Sequence, residues 1–86
     1  MAKLTREEVI ARVEAGKSLN EANLHGADLH GADLSEANLH GADLTDADLR
    51  EVNLTGADLT YANLTGGDLI GADLTRTNLA GAKYKK

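Results

Sequence analysis

The sequence predicts a mainly β protein: a single coiled solenoid of short extended segments behind a short α-helical cap. Two observations carry the solenoid and one carries the cap. Leucine returns every five residues from Leu24 to Leu79, and the residue two before it is nearly always alanine. A helix-start signature, Thr5-Arg6-Glu7-Glu8, stands ahead of the repeat.

A period of five fits neither regular element. On an α-helix, five steps of about 100° rotate each leucine by about 140° from the last, so no apolar stripe forms. On a continuous strand, an odd period throws successive leucines to opposite faces. Within one unit, however, Ala-Asp-Leu alternates in-out-in as a strand does. The two residues that follow, such as Thr55-Gly56, are turn formers. The chain therefore runs extended for about three residues, bends and repeats, with Ala and Leu always inside. Leu19 extends the series backwards and Tyr84 extends it forwards, so residues 17–86 form the repeat domain and residues 1–16 the cap. The bend angle is not fixed by this pattern; three sides or four would both close.

The unit A(D/N)LXX, as in Ala27-Asp28-Leu29-His30-Gly31 or Ala57-Asp58-Leu59-Thr60-Tyr61, resembles the pentapeptide-repeat family. The likeness covers residues 17–86, and the units are regular enough to read as a consensus, even a designed, member. It implies the right-handed, four-sided β-helix, with four units and twenty residues to a coil. Residues 17–86 then make about three and a half coils, about 17 Å tall at a ladder spacing of about 4.8 Å. Residues twenty apart stack. Leu19, Leu39, Leu59 and Leu79 share one side; Leu24, Leu44, Leu64 and Tyr84 share the next. Alanine fits the second inward position because the lumen is narrow; Val52, Gly67 and Thr77 depart from it as local packing variation. Asp and Asn, one before each leucine, bond readily to nearby backbone, so their column is expected to tie down the adjoining turns.

Solenoid ends need caps. At the N-terminal end, Thr5 and Glu8 form a capping box, Leu4 and Val9 a hydrophobic staple, and Val9, Ile10 and Val13 an apolar stripe. The helix is expected from about Arg6 to Ala15, with Gly16 ending it. The other end has no such element. Tyr84, Leu79 and Lys83 are therefore the expected contact residues of a homodimer joining two C-terminal coils.

Composition narrows the function. There is no cysteine, so disulfides and thiolate metal sites are excluded. The net charge is −5, but residues 19–82 hold eleven acids and two bases, while residues 83–86 hold three lysines. Such a midsection disfavours direct nucleic-acid binding, which needs a basic footprint. Asp28, Asp48 and Asp68 are expected to stack on one side, with Asp33 and Asp73 on the next, as a candidate acidic interaction surface. Some proteins of the family resemble DNA in charge and act on gyrase, which makes a DNA mimic the alternative reading. The absence of Phe and the shortness of the body weigh against it. Ice binding is disfavoured because the threonine columns are interrupted. His25, His30 and His40 point outward on three different sides, so a shared metal is not expected. No catalytic residue, cofactor or small-molecule substrate is expected, because no cleft, phosphate loop or triad is legible. No apolar run suggests a signal peptide or a membrane span. The reading is a non-enzymatic, cytoplasmic scaffold or protein-interaction module, whose unidentified protein partner the sequence does not name.

Overall fold

The computed structural model describes residues 3–84. The repeat folds in a register of twenty. Parallel bridges join Asn23 to Asp43, Asp43 to Asn63 and Asn63 to Lys83, and corresponding bridges run down the other three sides. Four five-residue units therefore complete each turn. Each side contributes one bridge residue rather than a named strand, because only about three residues separate consecutive turns. That residue both donates and accepts toward the coil before it: the Asp43 amide donates to the Ala22 carbonyl at 2.9 Å, and the Asp43 carbonyl accepts from the Leu24 amide at 2.8 Å.

Every corner is built alike. The amide after the corner donates back to the leucine carbonyl, as Ala42 does to Leu39 at 3.0 Å. The residue two after the leucine has a positive φ, whether it is Gly41 or Tyr61. A positive φ at this position alone defines a type II turn. The Asx column fixes the turn from outside. In each unit from Asn23 to Asn78, Oδ1 accepts the amide two residues on. The expectation that these side chains hold the turns is met along the whole column. Ser18 does the same work ahead of it, accepting the Asn20 amide at 3.0 Å.

The core is a stack of leucines. Leu19 through Leu64 are each at most 1% exposed, with Ala32, Ala42, Ala47, Ala57 and Ala62 buried between them. Val52 is wholly buried in an alanine position. Thr77, in another, donates its hydroxyl to the Leu54 carbonyl at 2.6 Å. At Gly67 an added Cβ would come within 3.1 Å of the Leu64 carbonyl.

The cap helix, α1, spans Arg6–Glu14. Glu8 Oε1 accepts the Thr5 amide at 2.8 Å and Thr5 Oγ1 accepts the Glu8 amide, the reciprocal capping box. At its other end Gly16 takes φ +70°, Lys17 donates to the Arg12 carbonyl and Gly16 to that of Val13. These two bonds make a Schellman motif, which satisfies carbonyls the helix cannot pair itself. Val9 is fully buried on the leucine stack, with Leu4, Ile10 and Val13 packed beside it. The Leu4 amide donates to the Asn23 carbonyl at 3.3 Å, the bond that Leu24 makes to Asp43 one coil further on. Leu4 thus stands in phase with Leu24, Leu44 and Leu64, as the remnant of a coil that α1 replaces.

Candidate interaction surfaces

Three groups of side chains lie outside the leucine core: the acidic columns, the imidazoles and the C-terminal coil. The acidic columns come together as expected. Asp28, Asp48 and Asp68 are bridged in one ladder, and Asp33, Asn53 and Asp73 in the next. Their charge is less available than the sequence suggests. Arg50 holds Asp48 with two bonds, Nε to Oδ1 at 2.8 Å and Nη2 to Oδ2 at 2.7 Å. The Arg50 side chain keeps the Asp48 carboxyl well below the usual carboxylate range. Arg6 lies 3.8 Å from Asp28 and donates to its carbonyl at 3.2 Å. The partners of Asp33 and Asp73 are hydroxyls: Ser35 Oγ donates at 2.7 Å and Thr75 Oγ1 at 2.6 Å, and each lowers the pKa of its carboxyl. Thr45 and Thr60 do the same for Asp43 and Asp58.

The imidazoles extend two of these pairs. His25 Nδ1 lies 2.7 Å from Thr45 Oγ1, and His40 Nδ1 lies 2.6 Å from Thr60 Oγ1. Each threonine's one hydroxyl proton is directed at its aspartate, so each imidazole must donate from Nδ1. The order is His–Thr–Asp, with each hydroxyl accepting from the imidazole and donating to the carboxylate. His40 also meets the Tyr61 ring edge-on at a centroid distance of 5.7 Å, and His30 lies 3.8 Å from Glu51. The three histidines remain apart. Among the described residues no three His, Asp or Glu side chains are placed to hold a metal ion. Among the described residues no helix is long and apolar enough to cross a membrane.

The C-terminal coil differs from those above it. Ile70 is 74% exposed, Tyr84 54% and Leu74 36%, and Leu79 is only partly buried. Lys83 is exposed but belongs to the ladder, its amide donating to Ala62 and its carbonyl accepting from Leu64. The amides of Leu69, Leu74 and Leu79 find no ladder acceptor among the described residues. A recess of about 740 Å³ opens here, lined chiefly by Leu64, Gly67, Leu69, Ile70 and Tyr84.

A four-sided coil with aliphatic contents and outward turns is a solenoid of the kind that presents surfaces. Pentapeptide repeats match residues 18–56 and 53–83, in eight copies, and the chain belongs to that family. Solved relatives agree. Rfr23 from the cyanobacterium Cyanothece 51142 is 42% identical over 77% of this chain and 42% of its own, with a TM-score of 0.52. HetL, involved in heterocyst differentiation regulation in Nostoc sp. strain PCC 7120, is 43% identical over 77% of this chain and 33% of its own (TM-score 0.52). The pentapeptide repeat protein alr5209 from Nostoc PCC 7120 is 36% identical over all of this chain and 80% of its own (TM-score 0.65). The chain spans under half the length of the first two. No curated protein is matched. The fold these relatives imply is the right-handed quadrilateral β-helix, and the family's members are generally non-enzymatic structural modules.

Proposed function

We propose that this chain is a non-enzymatic protein-interaction scaffold, and that the open face of its C-terminal coil is its contact surface. One observation carries the reading. Of the four large apolar side chains left exposed among the described residues, three (Ile70, Leu74 and Tyr84) lie on that last coil. Unpaired edges and clustered apolar groups are what proteins normally cover.

The first partner we propose is a second copy, joined about a two-fold axis through Tyr84, Leu79 and the backbone beside Lys83. Such a contact pairs one patch with itself and closes the assembly. Its area is limited to one coil cross-section, so the dimer is expected to be weak, and the two Lys83 side chains to make it tighten as salt rises. Sedimentation of the wild type against Tyr84→Asp tests this. A concentration-dependent dimer lost in the variant supports it; a wild type that stays monomeric at high micromolar concentration and moderate salt removes it.

The DNA-mimic alternative loses support. Arg50 neutralises Asp48, Arg6 faces Asp28, and the Asx side chains are committed to the turns.

A further inference from the structure

The cap helix covers a surface that the other end of the same molecule is built to fit. Between stacked coils, each Leu amide donates to the Asx carbonyl one coil on, as Leu29 does to Asp48 at 2.9 Å and Leu34 to Asn53 at 2.8 Å. Beneath α1 this pattern is only half made. Asn23 receives the Leu4 amide at a longer 3.3 Å, and Asp28 receives the Arg6 guanidinium in place of an amide. No hydrogen bond reaches the Asp33 carbonyl among the described residues. A helix spends its amides on itself, so it can shield a ladder edge without completing it. Within α1 only Val9 is wholly buried.

The complementary edge lies on the last coil, where the amides of Leu69, Leu74 and Leu79 lack acceptors. Charge agrees with the match. Residues 19–38 carry Glu21, Asp28, Asp33 and Glu36 without a Lys or Arg, whereas residues 65–84 balance Asp68 and Asp73 with Arg76 and Lys83. Corner sterics agree too. Arg76 is the one long side chain among the last coil's corners, the others being Gly66, Gly71 and Gly81. A rotation that sets Arg76 over Gly26 or Gly31 leaves no two long corner side chains facing each other.

We infer that the first coil is a latent strand-pairing surface, occluded by α1, whose partner is the last coil of a second copy. Displacing α1 converts a capped solenoid into one that accepts another head to tail, with the parallel register continued across the junction. Unlike the two-fold contact, this junction leaves an open end and does not close. It rests on the reading of the last coil as a contact face, but not on the two-fold dimer.

The test uses two full-length chains. In the first, Arg6→Ala and Val9→Asp remove the guanidinium cap and the buried anchor of α1, and Leu74→Lys blocks its own last coil. This chain can offer only its first coil. The wild type can offer only its last coil. With the triple variant labelled at its N-terminal amine, fluorescence-detected sedimentation should show it monomeric alone. Adding wild type should shift it to twice its mass, and adding Leu74→Lys chain should not. Hydrogen exchange on the same sample should show α1 amides released and those of Leu24, Leu29 and Leu34 still protected. Absence of the shift with α1 released overturns the inference. So does an α1 that stays docked, or a first coil that loses protection with it, because the latent surface then does not exist. The wild type alone reports on the two-fold dimer, so either idea can fail without the other.

Discussion

The ring of Tyr61 lies over the Cα of Gly81: a Cβ built on Gly81 would come within 2.6 Å of both Cδ1 and Cε1. The same relation recurs around the solenoid. Glu36 drapes over Gly56, Asp46 over Gly66 and Glu51 over Gly71. Down each corner column a long side chain alternates with glycine: Glu21, Gly41, Tyr61, Gly81 on one, and Gly16, Glu36, Gly56, Arg76 on another. Coils about 4.8 Å apart leave no room for two such side chains in succession. Glycine at these corners therefore serves the coil above as well as its own φ.

Gly81→Ala is accordingly expected to cost more than Gly31→Ala. Both sites have positive φ, +72° and +69°, but nothing lies within 4 Å of a Cβ at Gly31. The left-handed conformation alone costs a non-glycine residue about 1–2 kcal/mol. Denaturant unfolding should place Gly31→Ala in that range and Gly81→Ala beyond it. Adding Tyr61→Gly should return the Gly81→Ala penalty toward that of Gly31→Ala. Equal costs without coupling would mean that the draping contact carries no energy.

Acid should loosen the solenoid through the Asp–hydroxyl pairs. Thr60 pulls the Asp58 carboxyl below its ordinary value of 3.8 through its hydroxyl and then its amide, and Thr45 acts likewise on Asp43. A carboxyl whose folded pKa is depressed binds protons more readily when unfolded. Its stabilisation is complete above about pH 4 and is lost as pH falls below that. Urea midpoints should be level from pH 7 to 5 and should fall from pH 4 downwards. Asp58→Asn keeps an acceptor for Thr60 but removes the ionisation, so its fall should be shallower. An unchanged slope would show that Asp58 contributes nothing to the acid limb.

Gyrase supercoiling should be unaffected by stoichiometric amounts of this protein. Of the carboxylates that would stand in for phosphates, Asp48 is held by Arg50 and Asp28 faces Arg6. Potent inhibition, lost when Asp28, Asp48 and Asp68 become Asn, would restore the mimic reading.

Much of this molecule is legible from the repeat because inward and outward positions are set by chain-local alternation. The leucine stack, the Asx turns and both ends of α1 follow from residues within a few positions of one another. Other features need the register of twenty before they exist. His25 and Thr45 meet only across coils, as do Arg6 and the Asp28 carbonyl. Leu4 is twenty residues before Leu24, so its place in the ladder follows from the register of twenty, while local spacing marks it only as the staple ahead of α1. The alternation of glycine with long corner residues has a period of forty, which no comparison of neighbouring units displays. The stacking of Asp28, Asp48 and Asp68 follows from the register of twenty, but the pairing of Asp48 depends on which way Arg50 turns, and that is a side-chain choice.

The central claim is that each unit sends its leucine inward and its turn residues outward, with twenty residues to a coil. Leu49 is fully buried between neighbouring coils, whereas the Thr65 side chain stands on the outer surface of the same body. Leu49→Ala should cost about 2–5 kcal/mol, as buried truncations do. Thr65→Ala should cost under about 0.5 kcal/mol, as surface changes do. Chemical denaturation of the two variants beside the wild type is the direct measurement: a Leu49→Ala midpoint far below that of Thr65→Ala is the result predicted, and two equally stable variants would contradict the inward assignment of the leucine column.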